Sequence, residues 1–229
     1  MLWSPNCQLL YPFENQANDY SGNARHGTVF GSGVYATKPN GGRCLYFDGV
    51  GDYVATPSFG LSGSVVVFAC DVRCKYKSGA LVQGLLSDTR TNALTGYLSS
   101  NRPAATYNLS WGYSIGDLSW VRVEATDYFA SPYDDVWLHL MVVCDYAGKK
   151  VFFYRNAIPF GSPISMTGTP LFPSIARVKW IGVTYLPNSD FLTDGYLANV
   201  QLWTLATMPA AGQMLANVNR LMLGMNPIW

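Results

Sequence analysis

Apolar residues in this chain come in strand-length bursts from one end to the other, and no burst outgrows a strand. The longest is Ser64-Val65-Val66-Val67-Phe68-Ala69-Cys70. A membrane-crossing helix needs about 18 or more consecutive apolar residues, so none is read here. A short run apolar on both faces is what a central, doubly covered strand requires. Residues 136–145 form a second such run, and Tyr146-Ala147-Gly148-Lys149 turns it back into 150–155 as a hairpin. Further strands are read at 44–47, 52–54, 80–86, 96–98, 107–113, 118–124, 177–184 and 196–203. The glycines of Asp48-Gly49-Val50-Gly51 suit a tight turn. One segment departs from this pattern. Met214, Leu215, Val218, Leu221 and Met222 recur at helical spacing, with Pro209 suited to a first turn and Gly224 to the position after the last. The expected fold is all-β: a sandwich of two antiparallel sheets with one short C-terminal helix, forming a single domain over residues 1–229.

Composition narrows the function. Charged residues are 13% of the 229, about half the usual quarter, which excludes a disordered chain or a coiled coil. The net charge is +1, with no basic stripe, so nucleic acid is not an expected partner. The first residues show no basic segment followed by an apolar one, so no secretory signal is read. Cys7, Cys44, Cys70, Cys74 and Cys144 are odd in number and irregular in spacing. They read as mostly free thiols packed as small hydrophobes, with Cys7–Cys44 the one pairing to consider.

Several motifs, taken in order, resemble the laminin-G-like branch of the concanavalin A-like lectin/glucanase superfamily. Leu10-Tyr11-Pro12-Phe13-Glu14, Asp19-Tyr20-Ser21-Gly22-Asn23 and His26-Gly27-Thr28 look like that family's first strand and its Asp-x-Ser-Gly-Asn loop. Leu45-Tyr46-Phe47-Asp48-Gly49 with Asp52-Tyr53-Val54, then Trp137-Leu138-His139 with Cys144-Asp145 and Gly148, resemble its next signatures. Tyr154-Arg155-Asn156 resembles its Tyr-Val-Asn-Gly turn, with Ala157 in place of the glycine. Gly195 to Trp203 resembles its penultimate strand. The resemblance implies a jelly roll with binding loops at an edge or on the concave face. It also implies a calcium site on Asp19 and Asn23, but the carboxylate that relatives place in the penultimate strand is here Ala198. No cofactor is therefore expected, with calcium a minor alternative. Asp19 and Ser21, like Asp48 and Asp52, read equally well as turn organisers.

Catalysis finds little footing. Glycosidases of this superfamily use closely spaced carboxylates, and retaining or inverting chemistry needs two at a set separation. Here the only glutamates are Glu14 and Glu124, each without an acidic neighbour two positions away, and Asp134 and Asp135 are adjacent. On a strand those two would point to opposite faces. His139 reads as a core histidine hydrogen-bonded within the sandwich and His26 as a structural loop residue. The chain is read as non-enzymatic.

Aromatics crowd the middle of the sequence. Trp111, Tyr113, Tyr128, Phe129 and Tyr133 are the candidate ligand-binding residues, because flat rings stack on sugars and also anchor protein interfaces. Few charges are available to cover the outside, so apolar surface should be buried by assembly, with Trp3 and Trp229 as interface anchors. The expected function is a structural or adhesive surface protein of a virus particle, such as a capsid decoration or fibre component, made in the host cytoplasm and possessing a glycan-binding capacity. Its partners would be copies of itself or capsid proteins, and cell-surface glycan, without membrane insertion. The alternative is a secreted, extracellular carbohydrate-binding lectin.

Overall fold

A computed structural model describes residues 6–74, 82–88, 95–101, 106–116, 119–129, 135–183 and 193–222. In chain order the strands are β1 (Cys7–Tyr11), β2 (Thr28–Phe30), β3 (Val34–Thr37), β4 (Arg43–Asp48), β5 (Tyr53–Ala55), β6 (Val65–Cys74), β7 (Val82–Ser87) and β8 (Thr95–Asn101). They continue as β9 (Thr106–Gly116), β10 (Ser119–Ala125), β11 (Leu138–Asp145), β12 (Lys150–Arg155), β13 (Ile158–Pro159), β14 (Ile164–Ser165), β15 (Trp180–Ile181) and β16 (Asp194–Leu205). The helix α1 spans Ala211–Met222.

The strands form two antiparallel sheets, so the architecture is a β-sandwich with one short C-terminal helix. Sheet A has nine strands, in the order β13-β12-β11-β6-β16-β4-β3, with β1 beside β16 and β14 beside β12. Sheet B has seven, in the order β10-β9-β8-β7-β15-β5-β2. The two apolar runs are the centre of sheet A: β6 lies between β11 and β16, with Val142 opposite Phe68 and Leu202 opposite Phe68 from the other side. Both faces of β6 are buried, by different means. Val66, Phe68, Cys70 and Val72 point between the sheets. Val65, Val67 and Ala69 point outward and are covered by α1 through Met214, Val218 and Leu221.

Every residue burst read as a strand contributes to one, though 177–184 is regular only at β15. The short strands β2, β3, β13 and β14 were not among those expected, since none carries a full apolar period. The turn-organising readings are correct. Asp52 is buried and accepts from Ser32 N at 2.6 Å and Asp48 N at 3.1 Å. Gly31 makes that turn with φ +83°, and a Cβ there would meet Asp52 Oδ1 at 2.1 Å.

All five cysteines are buried and free. The Cys7–Cys44 pairing does not form, for a geometric reason. Cys7 pairs opposite Trp203 on β16, whereas Leu45, next to Cys44, pairs opposite Leu197. At about 3.3 Å per residue the two sit roughly 15 Å apart along the strand. A disulfide needs Cα atoms within about 7 Å. Burial pushes the thiols of Cys7, Cys44, Cys70 and Cys144 up from their ordinary pKa.

Candidate functional site

The outward-facing positions of β6 change character along the strand. Val65, Val67 and Ala69 lie under the helix, and the next two outward residues are Asp71 and Arg73. The neighbouring strand β11 repeats the change: Val143 and Met141 are apolar, and His139 stands opposite Asp71. Where α1 ends, at Met222, a cleft of about 520 Å³ opens on this face. Lys38, Asp71, Arg73, Asp135, Trp137 and His139 line it.

Asp71 is the hub. Its Oδ1 lies 2.9 Å from His139 Nδ1, and its Oδ2 accepts from Lys38 Nζ at 2.9 Å and Asn199 Nδ2 at 2.6 Å. Burial alone would raise its pKa, but the hydrogen bonds and charges of His139 and Lys38 outweigh burial and hold the carboxyl below its ordinary range. Asn199 reaches the carboxylate because β16 is irregular there. The register against β6 shifts between Ala198 and Gln201, and Asn199 adopts φ +49°. An extra residue in one strand re-aims a side chain in this way. Ala198 itself pairs opposite Asp71, so the outer face does hold a carboxylate at this level, supplied by the adjacent strand.

The rim is aromatic and charged. Half-buried Trp137 stands 6.1 Å from Tyr196 between ring centroids, and Lys38 Nζ lies 5.7 Å from the Trp137 ring centre. Arg73 Nε donates to Asp135 Oδ1 at 2.9 Å, a partly exposed pair at the far side. The arrangement sets a fixed pattern of hydrogen-bonding groups beside a flat apolar ring. Among the described residues of the cleft the other carboxylate is Asp135, which is paired with Arg73. Among the described residues no cluster of three or more His, Cys, Asp and Glu side chains is placed to hold a metal ion.

The structure corrects the candidate ligand-binding residues. Trp111, Tyr113, Tyr128 and Phe129 are core residues. Trp111 and Tyr113 are on the inward face of β9, with the Trp111 ring 6.1 Å from Phe68 of the opposite sheet. Tyr128 lies in the turn after β10, but its hydroxyl donates to Tyr154 O and its ring packs on Phe160 at 4.9 Å. Rings that fill a sandwich interior cannot stack on a sugar. Tyr133, Trp3 and Trp229 lie outside the described residues.

Asp19 and Asn23 form a closed hydrogen-bonded knot. Asp19 Oδ1 accepts from Leu10 N and Ser21 N, and Oδ2 from Ser21 Oγ and Arg25 N, all within 3.0 Å. Asn23 Nδ2 donates to Cys7 O at 2.7 Å. A cation could use the Asp19 carboxylate only by displacing these donors. His26 joins the same knot, its Nδ1 accepting from Asp19 N at 3.1 Å. Glu14 lies in the loop after β1, whereas Glu124 is on β10 of the other sheet, 3.3 Å from Arg122. His139 is hydrogen-bonded, but not within the sandwich as expected: it stands on the outer face of sheet A opposite Asp71, its partner, and lines the cleft.

No protein-family model matches the chain, and no curated protein matches it. Solved structures share its fold. Domain 4 of AbnA, a GH43 extracellular arabinanase from Geobacillus stearothermophilus solved in complex with arabinotriose, superposes with a TM-score of 0.68 at 16% identity. That match covers 95% of this chain and 98% of the domain. Botulinum neurotoxin type C, in a structure concerned with cell entry through two ganglioside molecules, matches with a TM-score of 0.70 at 13% identity over 94% of this chain. The binding domain of botulinum neurotoxin DC, in complex with rat synaptotagmin II, matches with a TM-score of 0.68 at 13% identity over 96% of this chain. The chain spans 51% of each neurotoxin chain, about half its length. These likenesses establish a shared β-sandwich fold.

Proposed function

We propose that this chain is a non-catalytic carbohydrate-binding domain on a concanavalin A-like jelly roll, serving adhesion at a surface. The observation that carries the reading is the Lys38–Asp71–Asn199–His139 network beside Trp137 in an open cleft. Sugars present vicinal hydroxyls on one side and an apolar C–H face on the other. A carboxylate flanked by an ammonium matches the first, and an indole ring matches the second. Binding pockets with a few convergent polar groups on a rigid wall have this composition. The arabinanase domain, matched over its whole length, is a fold neighbour that holds an arabinose oligomer. Separation of Glu14 from Glu124 and the Arg73–Asp135 pairing favour binding without turnover. Five buried free thiols favour folding in a reducing compartment. They support the narrower reading in which the domain is displayed on a virus particle made in a host cytoplasm, against cell-surface glycan, rather than secreted as a lectin.

The test is calorimetric titration with arabinotriose, cellotriose, maltotriose, lactose and 3′-sialyllactose. At least one should bind. Trp137→Ala and Asp71→Asn should each weaken binding about 10-fold or more, a loss of about 1.4 kcal/mol. Release of reducing ends from any of these sugars, abolished by Asp71→Asn, would replace this reading with a hydrolase. Copurification of the native chain with particles, or its absence from them, decides the narrower reading.

A further inference from the structure

The opposite face of the sandwich holds a second cleft, of about 350 Å³, at the free edge of sheet B. Its residues come from alternate positions. Val29, Val54 and Ile181 point into the core, so Thr28, Phe30, Tyr53 and Trp180 point out. The rings of Phe30 and Tyr53 stack at 4.6 Å and 10°, and Phe30 is 41% exposed. Nearly parallel rings, stacked across β2 and β5, bring aromatic surface to solvent where burial would ordinarily remove it. The shelf is held rigidly from below. Gly31 turns the chain beneath Asp52, which anchors Ser32 through its backbone and hydroxyl. At the rim, His26 Nδ1 accepts from Asp19 N, which leaves Nε2 as the N–H donor, beside the Thr28 hydroxyl.

We infer that this shelf is a second carbohydrate subsite, selective for uncharged sugar, and that the domain is thereby bivalent across its two faces. The inference extends the carbohydrate-binding reading to a separate site. Three observations select the occupant. Among the described residues lining the shelf there is no Lys, Arg, Asp or Glu, in contrast to the cleft around Asp71. An anionic ligand therefore finds no counter-charge there. The shelf is a concave cleft of about 350 Å³, room for one or two sugar rings rather than for a broad protein face. Finally, apolar rings with a hydroxyl and an N–H at the rim match a neutral sugar ring, with one C–H face and equatorial hydroxyls. Because the two clefts lie on the outer faces of opposite sheets, one molecule can bridge two glycan chains.

The experiment uses the whole chain and the five sugars named above, reading stoichiometry by native mass spectrometry and affinity by calorimetry. Thr28→Arg blocks the shelf with an exposed side chain, and Phe30→Ser removes half of the stack. Lys38→Ala disables the other cleft. The wild type should bind two neutral oligosaccharides per chain. Thr28→Arg and Phe30→Ser should each reduce this to one, with unchanged melting temperature, and Lys38→Ala should also leave one. 3′-Sialyllactose should not compete at the shelf. A single site unaffected by Thr28→Arg would overturn the inference and leave the Asp71 cleft standing. A single site lost in Thr28→Arg but not in Lys38→Ala would keep the shelf and remove the cleft. A wild-type dimer that Thr28→Arg turns into a monomer would assign the shelf to self-association and overturn the inference, as would absence of binding to every sugar.

Discussion

The outer face of sheet A is two surfaces laid along the same strands. On β6 the outward residues run Val65, Val67, Ala69, then Asp71, Arg73, and on β11 they run Val143, Met141, then His139. The first half is dry, sealed by Met214, Val218 and Leu221 of α1. The second half is open and charged, beginning where Met222 ends the helix. Backbone and sheet are continuous across the boundary, so only the side chains and the cover differ. One rigid element thus carries two kinds of surface. The covered half fastens the helix, and the open half inherits that stiffness and holds its polar side chains in fixed places, as the proposed sugar site requires.

Damage to the dry half should have the largest effect on stability. Trp203 is fully buried beneath α1, and Trp203→Ala should cost about 3–5 kcal/mol in urea denaturation. Sugar binding per folded molecule should remain, because no cleft residue is touched. Loss of binding in proportion to stability would show that the halves are not separable.

A buried charge whose own side chain lines neither cleft supplies the control. Lys179, just before β15, is fully buried, donates to Phe59 O at 2.9 Å and Arg177 O at 3.0 Å, and has Asp88 at 3.8 Å. Lys179→Met should cost about 2–4 kcal/mol and leave both sugar stoichiometries alone. Burial lowers the pKa of Lys179 to about 8. The unfolded chain then holds this proton up to the ordinary lysine range, so stability contributed by this group rises with pH above about 8 and levels near 10.5. The rise should vanish in Lys179→Met.

Removing the hub of the open half should do the converse. Asp71→Ala should cost about 1–3 kcal/mol, discounted for its partial exposure, and abolish binding in that cleft. The folded-state pKa of Asp71 is depressed, so its contribution is present above the unfolded carboxylate pKa and is lost as pH falls through the lower folded value. The difference between wild type and Asp71→Asn in acid unfolding should therefore shrink below about pH 4. The smallest effect belongs to the outer side of the helix. Leu215 is 44% exposed, and Leu215→Gln should change stability by no more than about 0.5 kcal/mol and binding not at all.

Most of the sandwich was legible because its central strands carry unbroken apolar runs and its helix a clear period. The site was legible only in fragments. Asp71 sits at the end of a run that reads as uniformly buried, and nothing local says where the helix stops covering it. Trp137 and His139 stood in a recognisable motif, yet Lys38 follows β3 and Asn199 lies in β16, segments brought alongside by long-range pairing. The irregularity that aims Asn199 has no glycine or proline at that residue to announce it. Aromatic density points instead to Trp111, Tyr113, Tyr128 and Phe129, because a ring serves a core and a ligand equally well and only burial separates the two uses. One signal was available: the switch from apolar to charged at every second residue of 65–73, beside the polar His139 that stands beyond Val143 and Met141 on the neighbouring strand.

The buried thiols give the molecule a built-in set of timers. A cysteine sealed from water, with its thiolate disfavoured, reacts with a small electrophile only while its surroundings are open. Cys7 would time release of the helix-covered layer, Cys70 and Cys144 separation of the two sheets, and Cys44 fraying at the β3–β4 margin. Labelling rates at these positions in the unaltered chain would thus record in what order the sandwich comes apart.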